Sequence, residues 1–463
     1  MRQIATRAAS GGFHRPVKNL QWTTPSGLRF STAAGYQGFG SFMSESLGAL
    51  IEKSCDASSP APNLPFSPGA VSETDRMFGI DINGFTFINH GAFGASLRSG
   101  ELRAKEWRRF LESQPLRYFD RTLFPHLAES SRRLAAFLNT SPRQLALIQN
   151  ATVGLDAVIA SVADQEPGKK ILLLDTAYGS VKRMAERHFR ENVVSLSIPF
   201  PLNSTEQLLE LIGNTLKQHP GEFSLAAMDH MTSNTALVLP VQEISELCRS
   251  NGVRVLIDGA HGPGALPLDL NRLDCDYYVG NCHKWLSAPK SVGFLHVKDT
   301  SESQWLSPRV TSHGSQETFP ANFMWDGCRD YAAALALPVV LDHWEALGPL
   351  SVRERNIVLA KRHALMLATA WQTTDAFLAP IDSPFREAPM QLVPLPASLG
   401  SGSDASYAFQ QCLYHEYSIE CPVKAVGNRL HVRISNHVYN TPLHYDRLKR
   451  AVIDLASLQQ DSH

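Results

Sequence analysis

Two charged residues stand where apolar runs break off. Asp258 ends the run VRVLID (253–258). Lys284 follows the run DYYVGN (276–281) within NCHKWL (281–286), just before a further apolar run, VGFLHV (292–297). A carboxylate at the end of a buried strand is costly unless a positive group meets it. A lysine between two buried segments is costly too, and burial pushes it toward a neutral, nucleophilic amine. One ligand resolves both problems: an aldehyde carried on a pyridinium ring. Lys284 would bond to the aldehyde as a Schiff base. Asp258 would keep the ring nitrogen protonated, so that the ring draws in electrons. The pair points to pyridoxal 5′-phosphate. The phosphate needs an anion site of its own. QNATVGLDAV (149–158) places Asn150, Ala151 and Thr152 at a helix start, where free N–H groups and the helix dipole favour an anion and Thr152 adds a hydroxyl. The same residues would also suit an ordinary helix cap at Asn150.

The elements that must position these residues are legible as an alternation. KKILLLD (169–175), FSLAAMDH (223–230), VRVLID, DYYVGN and VGFLHV read as short, nearly unbroken apolar strands. SVKRMAERHF, TEQLLELIGNTLKQ and VQEISELCRSNG read as amphipathic helices between them. Such alternation predicts an α/β fold with a mostly parallel central sheet flanked by helices. Ligands of such sheets bind beyond the carboxyl ends of the strands. Four strands deliver polar groups to that rim: Asp175, Thr176 and Tyr178; His230, Thr232, Ser233 and Asn234; Asp258 and His261; His283 and Lys284. Upstream, FTFIN (85–89) reads as a strand, and SGELRAKEWRRFLES, LAESSRRLAAFLNT and ATVGLDAVIASVA as helices. Past residue 340 a smaller α+β unit is expected. It opens with one long helix through LDHWEALGPLSVRERNIVLAKRHALMLATAW. NRLHVRISNHVYNT then alternates, with Leu430, Val432 and Ile434 on one face and His431 and Arg433 on the other.

With these residues assembled, the chain resembles the class V aminotransferase family of fold-type I pyridoxal phosphate enzymes. It is most similar to the branch of isopenicillin N epimerase-like proteins, cysteine desulfhydrases and ergothioneine sulfoxide lyases. The resemblance runs from about residue 85 to 445 through INHGAFGA, QPLRYF, NATVGLDAV, DTAYGSV, DHMTSNTALVLP, VLIDGAHGPG, NCHKWL, WDGCRDY and RISNHVYNT. Any one of these is weak; their order is the signal. The resemblance implies that Lys284 carries the cofactor and then acts as acid and base at Cα, and that Asp258 pairs with the ring nitrogen. Asn234 and His261 would lie near the phenolic oxygen or flank the ring, and Tyr178 would stack on it. Ala151, Thr152 and His283 would hold the phosphate. Arg433 would bind the substrate carboxylate as a bidentate pair, helped by Asn89 or the backbone around Gly91. It also implies a homodimer with active sites at the interface. One departure stands out: Cys328 in WDGCRD occupies a position where the family usually has a threonine reaching the neighbouring subunit's phosphate, and a thiol is a poorer donor.

Simpler readings exist for several of these residues. His261 and Tyr178 also suit packed core positions, and Arg433 a solvated strand. Arg117 in QPLRYF would contact substrate or phosphate from a partner, or merely pair locally. Cys282, beside a ligating histidine, reads as a small filler rather than a persulfide carrier. Cys412 and Cys421 lie in the second unit without a glycine-rich loop.

Composition narrows the classes. The chain has 463 residues, 43% hydrophobic, with a formal net charge of -1, which gives no footprint for nucleic acid or a membrane surface. The apolar run at 331–341 is short and carries Pro338, so no membrane span is expected. The seven cysteines are dispersed without a CxxC pair, which suits a reducing compartment and no zinc site. Residues 1–44 hold Arg2, Arg7, Arg15, Lys18 and Arg29 and no acidic residue. Such a segment reads as an organelle transit peptide, mitochondrial in character, with GLRFSTAAG resembling a processing site after Phe30; a disordered basic tail is the alternative. Residues 45–84 read as an arm or linker, 85–340 as the large cofactor-binding domain and 341–463 as the small domain.

The reaction expected is β-elimination from cysteine, a cysteine conjugate or a sulfoxide. Epimerisation would need a second base opposite Lys284, for which Tyr118, His90 and His230 are candidates. Transamination and a catalytically idle cofactor-binding scaffold are the remaining alternatives.

Overall fold

A seven-stranded sheet lies at the centre of the fold. Its spatial order is Leu145–Ile148, Gly293–Val297, Tyr277–Asn281, Arg254–Gly259, Phe223–Asp229, Lys170–Leu174, Val193–Leu196. The last five are mutually parallel; Gly293–Val297 runs antiparallel to both of its neighbours. The computed structural model describes residues 47–460 apart from 57–58, 68–76, 82–83, 302–304 and 316. The expected targeting segment therefore lies outside the described residues, as does part of the expected arm.

Every residue of Phe223–Asp229, Tyr277–Asn281 and Gly293–Val297 is buried, so both sheet faces are covered. That is why these strands read as unbroken apolar runs. Helix Ala151–Gln165 packs on the middle of the sheet and against helix Gly179–Phe189, and helix Val241–Ser250 packs on strands Phe223–Asp229 and Arg254–Gly259. Strand Val193–Leu196, at the sheet edge, was not foreseen; its half-exposed residues give no apolar run.

A second, three-stranded antiparallel sheet comprises Met390–Pro394, Arg429–Ser435 and Val423–Val426. Its core takes in Leu367, Val393, Leu413, Val432 and Leu448. The described residues form one compact unit, and the first strand knits its ends together. Thr86–Phe87 pairs with Ile419–Glu420, and Ile88 packs within the second core.

Three expectations change. The long helix after residue 340 is two helices, Leu337–Leu347 and Pro349–Ala370. They break at Gly348, whose φ of +73° suits glycine and precedes a proline that starts the next helix. The arm contains a packed helix, Leu47–Ser54, with Leu47 and Ile51 fully buried and Glu52 paired with Arg143. Finally, the simpler reading of Arg433 as a solvated strand residue fails: both sides of strand Arg429–Ser435 are covered.

Candidate active site

The carboxyl ends of the central strands open onto a cavity of about 180 Å³. Asp229, Asp258, His261, His283 and Lys284 line it, together with Tyr178 and the start of helix Ala151–Gln165. Four separate strand ends thus meet where sheet topology places a ligand.

Lys284 is partly buried. Burial drives its pKa down from 10.5 to about 8, with the positive charge of Arg433 adding to the shift and Asp258 opposing it. Asp258 is buried, and burial raises its carboxyl above the usual range; the Ala260 amide, 3.0 Å away, and Lys284 favour its charge. His261 Nε2 lies 3.3 Å from Lys284 Nζ, and His261 Nδ1 accepts the Trp285 indole N–H at 3.2 Å. Burial and the charge of Lys284 hold His261 neutral.

At the other end, Asn150 caps the helix by accepting the Val153 amide at 3.2 Å, and Asn281 accepts the Ala151 amide at 2.8 Å. The cap foreseen at Asn150 is formed. Thr152 is exposed at the first turn and lines the cavity. The Ser180 hydroxyl, on the wall of the same cavity, is buried and has no hydrogen-bond partner among the described residues. His283 donates from Nδ1 to the Val292 carbonyl at 3.1 Å, which leaves Nε2 for an anion; burial pushes its pKa to about 4. Neutral Nε2 is an acceptor, so a phosphate would hold it protonated or share its own proton.

These observations fit pyridoxal phosphate. A depressed amine stands by a buried carboxylate. A helix N-terminus and an orphaned hydroxyl open on the same space. Tyr178, half exposed at the cavity mouth, supplies an aromatic face. Among the described residues no cluster suits a metal ion.

Arg433 stands just behind the wall. It is 4% exposed and donates to the carbonyl and hydroxyl of Ser233, the latter at 3.3 Å, and to Asn89 Oδ1 at 3.3 Å. Its Nε has no partner among the described residues. Asn89 in turn donates to Glu420 at 3.0 Å. The Gly91 amide donates to Ser435 at 3.0 Å, and a Cβ on Gly91 would lie 2.5 Å from the Met390 sulfur. Asn89 therefore braces the arginine and Gly91 ties the following short helix to Ser435 on the arginine's strand, while Ala92 and Phe93 reach the cavity wall.

Asn234 is displaced from its expected place. It is exposed in a turn and does not line the cavity; Ser233 does. The Thr232 hydroxyl bonds Thr235 and the Leu237 amide, and this tight turn directs Ser233 inward and Asn234 out. The candidate second bases do not line the cavity either. His230 bonds the Tyr278 hydroxyl at 2.9 Å. His90 is enclosed between Tyr439 and the Lys284 carbonyl. Tyr118 is buried, its hydroxyl pushed above the usual range by burial. Arg117 lies over the Phe110 ring and bonds Ser113. Cys282 is fully buried, its thiol pushed up by burial; Cys421 is buried, Cys412 partly so, and Cys328 exposed.

Sequence reasoning missed Asp229, the last residue of its strand. The signal was present: it is the one acidic residue in FSLAAMDH, at the same sheet level as Asp258.

Comparison with known proteins agrees with this geometry. Residues 122–372, more than half of the chain, match the aminotransferase class-V family. The chain belongs to that family. An L-cysteine desulfhydrase of Arabidopsis thaliana is 29% identical over 86% of this chain and 94% of its own length. An isopenicillin N epimerase of Streptomyces clavuligerus is 30% identical over 79% of this chain and 93% of its own. Among solved structures, C-DES with glycine covalently linked to its PLP cofactor superposes with a TM-score of 0.65, at 22% identity over 81% of this chain and 97% of that one. A cysteine desulfurase from Thermococcus onnurineus NA1 gives 0.65 at 15% identity, over 81% and 95%. The fold is accordingly fold-type I, and the protein is a pyridoxal phosphate-dependent enzyme.

Proposed function

We propose that the protein is a C–S lyase that eliminates a sulfur group from Cβ of cysteine or a cysteine conjugate. The observation that carries the reading is the single strongly basic group of the cavity wall. Lys284 presents a depressed amine there, and none of the three candidate second bases lines it. Reprotonation from the opposite face, which epimerisation requires, has no group to perform it at those positions. The desulfhydrase relatives support the same reaction, and the epimerase relatives keep racemisation as the second reading.

Pyridoxal phosphate, when bound, makes the Cα–H of an amino acid acidic by drawing its electrons into the ring. The protein's own groups do the rest. Arg433, braced by Asn89 and Ser233, offers a buried cation to the substrate carboxylate. Lys284 holds and moves the Cα proton, and a pKa near 8 suits an amine that must both take and return it. Asp258 would supply the charge that keeps a ring nitrogen protonated. Helix Ala151–Gln165 would hold the phosphate at its N-terminus.

The experiment is a substrate panel of L-cysteine, its S-conjugates and its sulfoxides, with pyruvate and the released sulfur species measured together. A lyase gives both in equal amounts.

The reading extends to assembly and address. Phe93, large, apolar and exposed on the cavity wall, supports a homodimer with the sites at its interface. Multi-angle light scattering of the active enzyme should give twice the chain mass. The basic, acid-free first 44 residues support mitochondrial import, and a fusion of those residues to a fluorescent protein should reach that organelle.

A further inference from the structure

Two histidines from distant segments address Lys284, and in each an aromatic donor fixes the ring. His90 Nδ1 lies 2.8 Å from the Tyr439 hydroxyl, and His90 Nε2 lies 3.1 Å from the Lys284 carbonyl oxygen. A carbonyl only accepts, so Nε2 of His90 carries the hydrogen and Nδ1 accepts from the tyrosine. At His261 the argument starts from the other nitrogen. An indole N–H only donates, so Nδ1 of His261 is the acceptor for Trp285. In the neutral ring the hydrogen then sits on Nε2, 3.3 Å from Lys284 Nζ. An N–H at that place can donate to a neutral amine. Against an ammonium it would set donor against donor.

We propose that Trp285 is a positioning residue: its indole N–H locks His261 in the Nε2–H form and so makes His261 a fixed donor toward the reactive end of Lys284. The inference rests on the reading of Lys284 as the cofactor-bearing lysine. Packing alone does not demand a tryptophan here. Its ring belongs to a buried cluster with Met390 and Leu392, which a phenylalanine would also fill. What the indole adds is one directed hydrogen, and it is spent on the histidine that meets the neighbouring residue's amine. The ionisable groups acting on this pair are Asp258 and Asp229, which favour a charged Lys284, and Arg433 and His90, which disfavour charge on His261. Arg433 also disfavours charge on Lys284. Among the described residues none of these bonds His261 Nδ1, which Trp285 holds.

The test compares holoenzymes of the wild type, Trp285→Phe, His261→Gln and the double variant. The readout is the pH midpoint of the visible absorption band of the cofactor joined to Lys284. Trp285→Phe frees His261 to turn its lone pair toward the lysine nitrogen, which stabilises the protonated form. The midpoint should rise by about half a unit or more. In the His261→Gln background the same substitution should move it by less than about 0.2 unit, because the coupling runs through the histidine. A midpoint unchanged by Trp285→Phe, or one shifted equally in the His261→Gln background, would overturn the proposal. Should the phenylalanine variant not fold, nitrogen-15 NMR of histidine-labelled wild type, assigned with His261→Gln, reads the tautomer directly. A hydrogen found on Nδ1 of His261 would overturn it as well.

Discussion

Asp229 and Asp258 are register partners on adjacent parallel strands, and both open onto the cavity that holds Lys284. Two buried carboxyls so placed do not both ionise. Burial and the charge of Asp258 push the Asp229 carboxyl well above the ordinary range, so it is the neutral partner. Asp258 has the Ala260 amide to stabilise its charge. The two acids should therefore respond differently to an isosteric neutral change. Asp229→Asn should leave kcat/KM within about threefold of wild type, whereas Asp258→Asn should lower it by about 100-fold or more. Steady-state kinetics on the best substrate of the panel checks both. Equal losses would mean that the charge is shared.

The rate at which the cofactor-free protein takes up pyridoxal phosphate should follow the free amine of Lys284. With a pKa of about 8, the amine is neutral above that pH and protonated below it. The uptake rate should level off above pH 8 and fall about tenfold per unit below it. Stopped-flow absorbance over pH 6 to 9.5, an interval of about 3.5 units around that value, measures it. A rate still rising steeply at the alkaline end would place the lysine at its ordinary pKa.

Arg433 should act on binding more than on chemistry. Arg433→Lys keeps a positive charge but loses the planar fork that spans Asn89 and Ser233 and pairs with a carboxylate. KM should rise by about 10- to 100-fold with a smaller change in kcat. A substitution that lowered kcat alone would assign the arginine to the chemical step.

Gly91→Ala tests the short helix His90–Phe93 that follows Asn89, the residue bonded to this arginine. The added methyl would stand 2.5 Å from the Met390 sulfur and 3.4 Å from the Trp285 ring. Overpacking of this kind costs about 1–3 kcal/mol. Chemical denaturation of the holoenzyme should show that loss, and it should exceed the roughly 0.5–1 kcal/mol that Ala92→Gly, next in the same short helix, costs through helix propensity alone.

How much of this was legible in the sequence follows from burial. The five central strands were readable because a parallel sheet covered on both faces demands unbroken apolar runs, as in Phe223–Asp229. Val193–Leu196 was not, because an edge strand carries no such demand. Lys284 and Asp258 were readable as exceptions within apolar context. Asp229 is the same kind of exception, but it stands beside His230, an equally plausible polar residue at the strand end that instead bonds Tyr278. Period-two alternation at Arg429–Ser435 left a solvated Arg433 open as the simpler reading, and His431 and Arg433 are 2% and 4% exposed. Alternation separates two faces but does not say what covers each. Asn234 and Ser233 are adjacent in sequence, and only the turn held by Thr232 decides which points inward. Trp285 drew no role from the sequence, because what its indole does depends on a side-chain direction that no spacing encodes.

The central claim is that Lys284 and its cavity break a C–S bond after removing the Cα proton. It is tested most directly by proton NMR of the holoenzyme with L-cysteine, its S-conjugates and its sulfoxides in D2O. The account predicts that a substrate disappears while pyruvate grows in by the same amount. Loss of the Cα–H signal alone, with the carbon skeleton intact across the whole panel, would contradict it and leave epimerisation as the reading to pursue.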